Sequence, residues 1–492
     1  MNILLTASEA VPFSKTGGLA DVTSALAHAL AASGHDVLLI LPDYPRLRSE
    51  AGWDGYTLTP LKEKVRVYVG KRDVTAKLIE VRRDNSTVRT ILVSCPLYFD
   101  RPGPYGVDNL DYGDNCERFG FFSQAVLNIC RQLDFRADIV HANDWQTGLV
   151  PALLDVKYRT FPQLANAASI FTIHNLAFQG LFPGHALMYT GLSPQYFTLQ
   201  HMEYYGQINL LKTGVTFARK VTTVSPTYAE EIQTTEFGCG LESVLSSRQA
   251  DLVGITNGID PEEWNPATDP LLPSHFDVDT WDQPTGKPAL KSQLQREFGL
   301  PEKPGVPLFG IVSRLTDQKG IDLLIEIGDE LFTRDIQLVL LGTGNPEFET
   351  KLEELAQKYP QKCAVTIGFS EPKAHLIEAG SDAFLMPSMF EPCGLNQMYS
   401  QRYGTVPIVR LVGGLADTVV DVSAKATADH TATGFGFRNH TAQNLLDTID
   451  RAISAYHSPE LWKQLVETGM KKDFSWTTKA NDYLTVYEDA LQ

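Results

Sequence analysis

The chain has 492 residues, of which 43% are hydrophobic and 21% are charged. This length exceeds one typical domain and predicts two or three compact units with large buried cores. The formal net charge of -17 argues against a nucleic-acid partner and against an anionic membrane surface, since both require a basic face. The composition leaves a neutral polymer, or small anions held in a local basic pocket, as candidate ligands.

The 6 cysteines are scattered along the chain and include no C-x-x-C pair. This spacing predicts neither a disulfide framework nor a zinc site. The sequence shows no signal-peptide pattern, in which a charged region precedes an apolar one, and no run of about 20 apolar residues. We therefore expect reduced thiols, no membrane segment and a cytoplasmic location.

Short apolar runs rich in β-formers alternate with helical patterns in two series. The first series of runs covers residues 37–41, 138–141, 168–173 and 220–224, and the second covers residues 308–312, 337–341, 364–367, 383–386 and 407–409. Such alternation predicts parallel sheets, and therefore two doubly wound α/β domains that bind ligands at the carboxyl ends of their strands. Residues 65–93 predict antiparallel strands added to the first sheet, and residues 254–257 predict a hinge.

A glycine loop follows the first predicted strand and precedes a helical pattern. It reads Lys15-Thr16-Gly17-Gly18-Leu19-Ala20-Asp21. Adjacent glycines let a ligand approach the backbone, a helix start offers unpaired N–H groups, and Lys15 adds a cation. The loop matches neither the dinucleotide fingerprint nor the phosphate loop of nucleoside triphosphatases. It predicts an anion-binding turn or, alternatively, only a tight connection between strand and helix.

Two basic side chains occupy the loop after the first strand of the second series. Arg314 and Lys319 lie five residues apart there. A guanidinium and an ammonium at this spacing suit a diphosphate, because each contact is charge-assisted. The alternative is a solvated loop with ordinary surface cations.

A carboxylate, Glu391, follows the strand predicted at residues 383–386. At this point it can accept hydrogen bonds from sugar hydroxyls, while the N–H groups of Gly394 and Leu395 can take phosphate oxygens. The alternative is that Glu391 only caps the next helix. A third glycine turn, at residues 413–415, repeats the pattern of an anion-binding turn.

Two further polar motifs end strands in the first series. They read His141-Ala142-Asn143-Asp144-Trp145 and Ile173-His174-Asn175. Their imidazole, amide and carboxylate groups suit a sugar, although a lone histidine is more often a buried, satisfied side chain. The Asp and His residues show neither a glycosidase-type carboxylate pair nor metal-ligand spacing, so we expect no metal and no cofactor.

In their order and joint presence, these motifs make the sequence resemble the bacterial and plastid glycogen (starch) synthases. That family consists of retaining glucosyltransferases of GT-B fold that extend α-1,4-glucans from ADP-glucose. The resemblance covers nearly the whole chain. It rests on residues 15–21, 144–145, 172–175, 257–260, 313–320, 390–395 and 413–418.

The resemblance implies two Rossmann-like domains that face each other across a cleft. Residues 1–254, completed by a C-terminal helix at residues 476–492, would form the acceptor and catalytic domain, and residues 255–475 the nucleotide-sugar domain. The implied partners are ADP-glucose, as a substrate rather than a cofactor, and an α-1,4-glucan. The motifs do not predict an oligomeric state.

The resemblance also assigns residues to the site. The implied catalytic residues are His174, Glu391, Asp144, Lys15 and Asp21. The implied nucleotide-sugar contacts are Lys15, Gly17, Gly18, Asn175, Asn257, Arg314, Lys319, Gly368, Phe369, Glu391, Cys393, Gly394 and Leu395. Among them, Arg314 and Lys319 would hold the diphosphate, Glu391 the glucose hydroxyls, and Phe369 would stack on adenine.

Two positions depart from, or leave open, the family pattern. Asn396 stands where many bacterial members have Thr, and either Tyr98 or Phe99 takes the place of a family Tyr.

Two other functions compete with the implied one. One is a retaining GT-B transferase that uses UDP-glucose and a small acceptor, and the other is a catalytically idle glucan-binding protein.

Overall fold

The computed structural model describes residues 1–48, 53, 55–107 and 110–492. These residues form two compact units. The first unit comprises Met1–Gly258 and Trp476–Gln492, and the second comprises Ile259–Ser475. The domain limits drawn from the sequence, and the roles given to the domains, stay predictions.

The first unit is built on a large sheet with helices packed against it. Its strands are β1 (Asn2–Thr6), β2 (Asp36–Pro42), β3 (Tyr56–Val69), β4 (Arg72–Arg83), β5 (Arg89–Ser94), β6 (Gly106–Val107), β7 (Leu110–Asp111), β8 (Ile139–Asn143), β9 (Ala168–Ile173), β10 (Leu181–Pro183), β11 (Glu203–Tyr204), β12 (Gln207–Asn209), β13 (Lys220–Thr223) and β14 (Leu252–Gly254). Its helices are α1 (Gly18–Ala32), α2 (Pro45–Arg48), α3 (Pro96–Phe99), α4 (Asn115–Gln132), α5 (Leu149–Val156), α6 (Leu210–Phe217), α7 (Pro226–Glu231), α8 (Glu242–Ser247) and the terminal helix Trp476–Leu491.

The strand order of the large sheet is β14-β13-β9-β8-β1-β2-β5-β4-β3. Neighbours from β14 to β5 are parallel, whereas β3 and β4 continue the sheet by antiparallel pairing, as residues 65–93 predicted. Strand β1 lies inside the sheet, which explains why Ile3, Leu4 and Leu5 are all apolar and fully buried. The carboxyl ends of β1, β8 and β9 meet at one edge, where the first group of site residues lies.

The terminal helix packs onto this sheet through buried aromatic side chains, including Tyr483 and Tyr487. The Tyr487 hydroxyl is 2.7 Å from His141 Nδ1, and His141 Nε2 is 2.5 Å from Thr172 Oγ1. Burial lowers the pKa of His141 to about 3, so the ring is neutral. His141 therefore joins the end of the chain to strands β8 and β9 and is fully buried, away from ligands.

The second unit is a smaller doubly wound sheet. Its strands are β15 (Leu308–Leu315), β16 (Gln337–Gly344), β17 (Cys363–Ile367), β18 (Ala383–Met386), β19 (Val406–Arg410) and β20 (Phe435–Phe437), in the order β17-β16-β15-β18-β19-β20 and all parallel. Its helices are α9 (Lys287–Glu297), α10 (Ile321–Leu331), α11 (Pro346–Lys358), α12 (Glu371–Gly380), α13 (Asn396–Arg402), α14 (Gly413–Thr418), α15 (Ala424–Ala428), α16 (Ala442–Tyr456) and α17 (Pro459–Met470), after which the terminal helix is α18. The predicted second series of strands is confirmed.

Residues 264–286, which precede α9 and are rich in Pro and Asp, are packed onto the rest of the second unit by a buried polar cluster. Asp269 accepts hydrogen bonds at 2.7 Å from both His375 Nδ1 and the Tyr403 hydroxyl. Trp264 stacks on the His375 ring at 4.0 Å and on the Tyr399 ring at 3.6 Å. These contacts anchor the segment to α12 and α13.

No helix in the described part of the chain is long and apolar enough to cross a bilayer.

Candidate active site

Two loops of the second unit are held together beside the carboxyl ends of β15 and β18. Gly320, at φ +67°, lies so close to Pro387 that a Cβ would overlap the Pro387 carbonyl oxygen. The Met389 N–H donates to the Gln318 carbonyl at 2.8 Å. These contacts explain a glycine at position 320, and they bring the loop that carries Lys319 against the loop that carries Glu391.

Lys319 and Glu391 form an ion pair, with Nζ 2.6 Å from Oε2 and side chains that are 19% and 7% exposed. The Ser388 hydroxyl donates to the same carboxylate oxygen at 3.0 Å. The sequence predicted Lys319 for phosphate and Glu391 for sugar as separate groups, and the structure places them in contact. Glu391 is therefore oriented by a cation and a hydroxyl, which goes beyond the role of a helix cap.

A cavity of about 180 Å³ adjoins this pair. Its polar lining includes Arg314, Lys319, Ser388 and Asn396. Arg314 is exposed and forms no ion pair with any described residue, so its guanidinium is available to an anion. Asn396 donates to the Val312 carbonyl at 3.1 Å, which ties the start of α13 to β15.

The backbone N–H groups of Gly394 and Leu395 donate to no group in the described part of the chain. They are thus available to an acceptor, and their role toward a phosphate stays a prediction. Cys393, beside them, is buried and forms no disulfide. All 6 cysteines of the sequence lie within the described residues and all are free.

The third glycine turn does not form a free anion site. The Gly414 N–H donates to the carbonyls of Glu391 and Pro392, at 3.2 and 3.1 Å. A Cβ on Gly413 would overlap the Glu391 carbonyl oxygen, and one on Gly414 would overlap that of Cys393. The two glycines are required by close packing, and they fix the backbone of the loop that carries Glu391.

Phe369 follows β17 and is 83% exposed. The Gly368 N–H before it donates to the Gly342 carbonyl at 2.9 Å, which holds the position of the ring. Tyr98 and Phe99, which the sequence left as alternatives for the position of a family Tyr, are both buried in the first unit. The Tyr98 hydroxyl donates to Glu117 at 2.7 Å, so both residues serve the core.

In the first unit, the loop after β1 is organised by Glu9, a residue that the sequence did not single out. Its buried carboxylate accepts from the Thr16 N–H at 2.5 Å, from the Thr16 hydroxyl at 2.7 Å and from the Tyr105 hydroxyl at 2.8 Å. Burial raises its pKa. A carboxylate three positions after a buried strand, in the run Ser8-Glu9-Ala10, was the signal that could have identified it.

Lys15 and Asp21 form an exposed ion pair at 2.8 Å across the glycine loop. Gly17 caps α1, and no atom lies within 4 Å of the position that its Cβ would take. The N–H groups of Gly17 and Gly18 donate to no described residue. The loop thus presents N–H groups and an ammonium at an open face, as expected for an anion-binding turn.

Asp144, directly after β8, has a backbone conformation rare for a residue with a side chain, at φ 56° and ψ 179°. Its Oδ1 accepts the His174 N–H at 2.8 Å, and its carboxylate also accepts the Asn175 N–H. Burial raises the pKa of Asp144 to about 7, although these two hydrogen bonds act to lower it. A strained, desolvated carboxyl group that fixes the end of β9 is typical of a functional site.

His174 is 9% exposed, and its Nε2 is 2.8 Å from Asn143 Oδ1. Burial lowers the pKa of His174 to about 3, which keeps the ring neutral. Asn175 Oδ1 accepts the Ala177 N–H at 3.0 Å. Asn257 is 5% exposed, and its Oδ1 accepts no hydrogen bond from any described residue.

Within each unit the structure therefore groups the predicted residues by strand ends. The first unit groups Asp144, His174 and Asn175, and the second groups Arg314, Lys319 and Glu391. Sequence reasoning missed Glu9 and Ser388, and it named Asn143 only as part of a sugar-binding motif. All three act through a neighbour. Within the described ranges no three Asp, Glu, His or Cys side chains form a metal-ligand group.

Two family descriptions match the chain. Residues 2–247 match the starch synthase catalytic domain, and residues 292–472 match the glycosyl transferases of group 1. The chain is 46% identical over 496 residues to glycogen synthase 1 of Methylococcus capsulatus, covering 100% of this chain and 97% of that protein. The chain belongs to the glycogen synthase family. It is also 45% identical to the glycogen synthase of Syntrophotalea carbinolica, covering 100% and 99% of the two chains.

Solved structures agree with membership of the glycogen synthase family. The catalytic domain of starch synthase IV from Arabidopsis thaliana, solved bound to ADP and acarbose, has a TM-score of 0.90 and 33% identity, covering 100% of this chain and 99% of that one. Sucrose-phosphate synthase from Thermosynechococcus elongatus, with a TM-score of 0.59 and 17% identity over 99% and 98% of the chains, shares the fold alone. The predicted family, the GT-B fold class and the enzyme class, a glucosyltransferase, are confirmed.

Proposed function

We propose that the chain transfers glucose from ADP-glucose to the 4-hydroxyl at the non-reducing end of an α-1,4-glucan, with retention of configuration. The contact between Lys319 and Glu391 carries this proposal, since it joins a phosphate-binding cation to a sugar-binding carboxylate. The ADP and acarbose bound to the Arabidopsis relative support it. Lys15, Gly17, Gly18 and Asp21 are proposed to serve the donor from the first unit.

The second unit is proposed to hold the nucleotide sugar. Arg314 and Lys319 bind the diphosphate, and the N–H groups of Gly394 and Leu395 add neutral donors. Phe369 provides an exposed aromatic face for adenine. As the bond to the diphosphate breaks, negative charge grows on oxygens that these fixed groups already face, and this lowers the barrier.

The first unit is proposed to position the sugar and its acceptor. Asp144 holds the backbone of His174 and Asn175, and His174 is proposed to lie beside the anomeric carbon. The neutral ring accepts a hydrogen bond without adding positive charge near the developing oxocarbenium ion. The glucan hydroxyl attacks on the face from which ADP leaves, and the departing phosphate oxygen accepts its proton. Asn257, with an acceptor that no described residue satisfies, is proposed to receive a sugar hydroxyl.

We also propose that the reaction needs no metal ion, because a guanidinium, an ammonium and backbone donors supply the charge stabilisation. We propose a cytoplasmic location, which the free cysteines support, since disulfides are rare in reducing compartments.

The test is incorporation of radiolabelled glucose into glycogen from ADP-glucose and from UDP-glucose, with the anomeric configuration of the product read by NMR. We expect α-1,4 extension and a preference for ADP-glucose. Arg314→Gln should lower kcat/KM for the donor by about tenfold or more, as for loss of one charge-assisted contact. Arg296→Gln, which removes an exposed arginine paired with Glu302, is the matched control. Preference for UDP-glucose, or equal effects of both substitutions, would overturn the assignment.

A further inference from the structure

We infer that Asn143 is a positioning residue that fixes the tautomer of His174, so that Nε2 carries the proton and Nδ1 is presented as a hydrogen-bond acceptor for a sugar hydroxyl. The tautomer follows from the geometry of the first unit alone. Its use in catalysis rests on the proposed function of His174.

The orientation of the Asn143 amide is set by a group that can only accept. Asn143 Nδ2 donates to the Thr6 carbonyl on β1 at 3.0 Å. An amide has donors on nitrogen and an acceptor on oxygen, and the reversed amide would face two oxygens toward each other. Oδ1 must therefore face His174. At 2.8 Å from that oxygen, Nε2 has to be the donor.

Neither partner is free to rearrange. The Asn143 N–H donates to Thr147 Oγ1 at 2.7 Å, and that hydroxyl donates to the Asn143 carbonyl at 2.6 Å. The His174 N–H is held by Asp144 at 2.8 Å. Asn143 is 2% exposed, so water does not compete for its amide. The arrangement is set by backbone groups of β1, β8 and β9.

The second ring nitrogen is left as an acceptor. Among the described residues none forms a hydrogen bond to His174 Nδ1. The titratable groups that interact with His174, or with the Asp144 carboxylate that holds its backbone, are His141, Asp144, Glu9 and Tyr228. Burial lowers the pKa of His141 to about 3, raises that of Asp144 to about 7 and raises those of Glu9 and Tyr228. These groups provide no cation, and burial also lowers the pKa of His174 to about 3, so the ring stays neutral at working pH.

A neutral ring with its proton on Nε2 can accept from a hydroxyl but cannot donate from Nδ1. Such a ring binds a sugar hydroxyl in one direction only, and that hydroxyl's oxygen is then left to accept from other groups. The opposite tautomer would present a donor at the same position and reverse the hydrogen bond. Asn143 thus determines the polarity of the contact without touching the sugar.

The direct test is ¹⁵N NMR of the full-length protein with labelled histidine, in which His174→Gln assigns one signal among the 11 histidines. We expect the wild-type ring to be neutral and protonated on Nε2 from pH 5 to 8. Asn143→Ala removes the acceptor, so the signal should move to a mixture of tautomers or to the Nδ1–H form. A wild-type ring that is charged, or protonated on Nδ1, overturns the inference whatever the enzyme's activity. If Asn143→Ala fails to fold, Asn143→Ser replaces it, and the wild-type spectrum decides independently.

Kinetics provide the second readout. Asn143→Ala should lower kcat by about tenfold, the effect of one buried hydrogen bond, and change KM for ADP-glucose by less than about twofold. Asn128→Ala is the matched control, since Asn128 also donates from a partly buried amide to a carbonyl, that of Gln124 at 2.9 Å. It should lower stability but leave kcat unchanged. Equal losses of kcat in both variants, or an unchanged tautomer in Asn143→Ala, would show a purely structural role.

Discussion

Replacing Asp144 with asparagine tests whether burial controls the charge at the end of β8. Asparagine keeps the shape of the side chain and an oxygen that accepts the N–H groups of His174 and Asn175. Asparagine and aspartate have side chains of nearly the same size, so the backbone strain at φ 56° and ψ 179° should be similar in both proteins. The substitution therefore removes the ionisable group while it preserves the local structure.

The magnitude follows from the pKa of Asp144, which burial raises from an ordinary 3.8 to about 7. The folded protein binds this proton more tightly than the unfolded chain, so the carboxyl group costs nothing below about pH 4 and progressively more as the pH rises to 7. At about 1.4 kcal/mol for each pKa unit, the cost reaches about 4 kcal/mol above pH 7, of which about 2 to 3 kcal/mol arises between pH 5 and 8. Asp144→Asn should gain stability over the wild type by that amount across this interval.

The assay is thermal unfolding of both proteins from pH 5 to pH 8. The difference in Tm should grow with pH by about 5 to 10 °C, given about 2 to 4 °C for each kcal/mol in a unit of this size. Comparison of the two proteins cancels the titration of groups that do not interact with Asp144. Asp134→Asn is the matched control, because Asp134 also has a positive φ, 49°, but is exposed. A difference in Tm that does not vary with pH would refute the argument from burial.

Three further predictions concern the donor site. Lys319→Ala leaves Glu391 buried without its cation, so it should lower the free energy of unfolding by about 3 kcal/mol and also lower kcat/KM for the donor. The double variant Lys319→Met, Glu391→Gln should recover Tm in thermal melts but not activity. Recovery of both Tm and activity would show that the pair takes no part in the reaction. Phe369→Ala should weaken ADP binding by about 1 to 3 kcal/mol in calorimetry while Tm stays constant, because an 83% exposed ring contributes little to folding. Activity should persist in excess EDTA, and loss that magnesium or manganese restores would contradict the proposed metal-independent stabilisation.

Much of the fold could be predicted from the sequence, because alternation of apolar runs and helical patterns is a local property. The parallel order of both sheets and the antiparallel β3 and β4 follow from it. The site residues could be located at strand ends for the same reason. Their grouping within each unit depends on which strands are neighbours, and β8 and β9 being adjacent explains why Asp144 reaches His174.

The positioning residues could not be predicted, because their roles depend on hydrogen bonds between distant parts of the chain. Asn143 matters through Thr6, 137 positions away, and Glu9 through Tyr105, 96 positions away. Gly413 and Gly414 share a local pattern with Gly17 and Gly18, yet one pair packs against a carbonyl and the other lies at an open face. A sequence pattern does not distinguish a glycine that admits a ligand from one that admits the protein's own backbone.

The return of the terminal helix to the first unit has a consequence for biosynthesis. The ribosome must translate the 217 residues from 259 to 475 (475 − 258) before it reaches α18. At about 5 to 20 residues per second this takes roughly 10 to 40 s. Throughout that interval the nascent first unit lacks the aromatic face of α18, including Tyr483 and Tyr487, and the sheet surface beneath them is open to other chains. Exposed apolar surface of this kind promotes aggregation of folding intermediates, so we expect the first unit to be most prone to aggregation before α18 is synthesised.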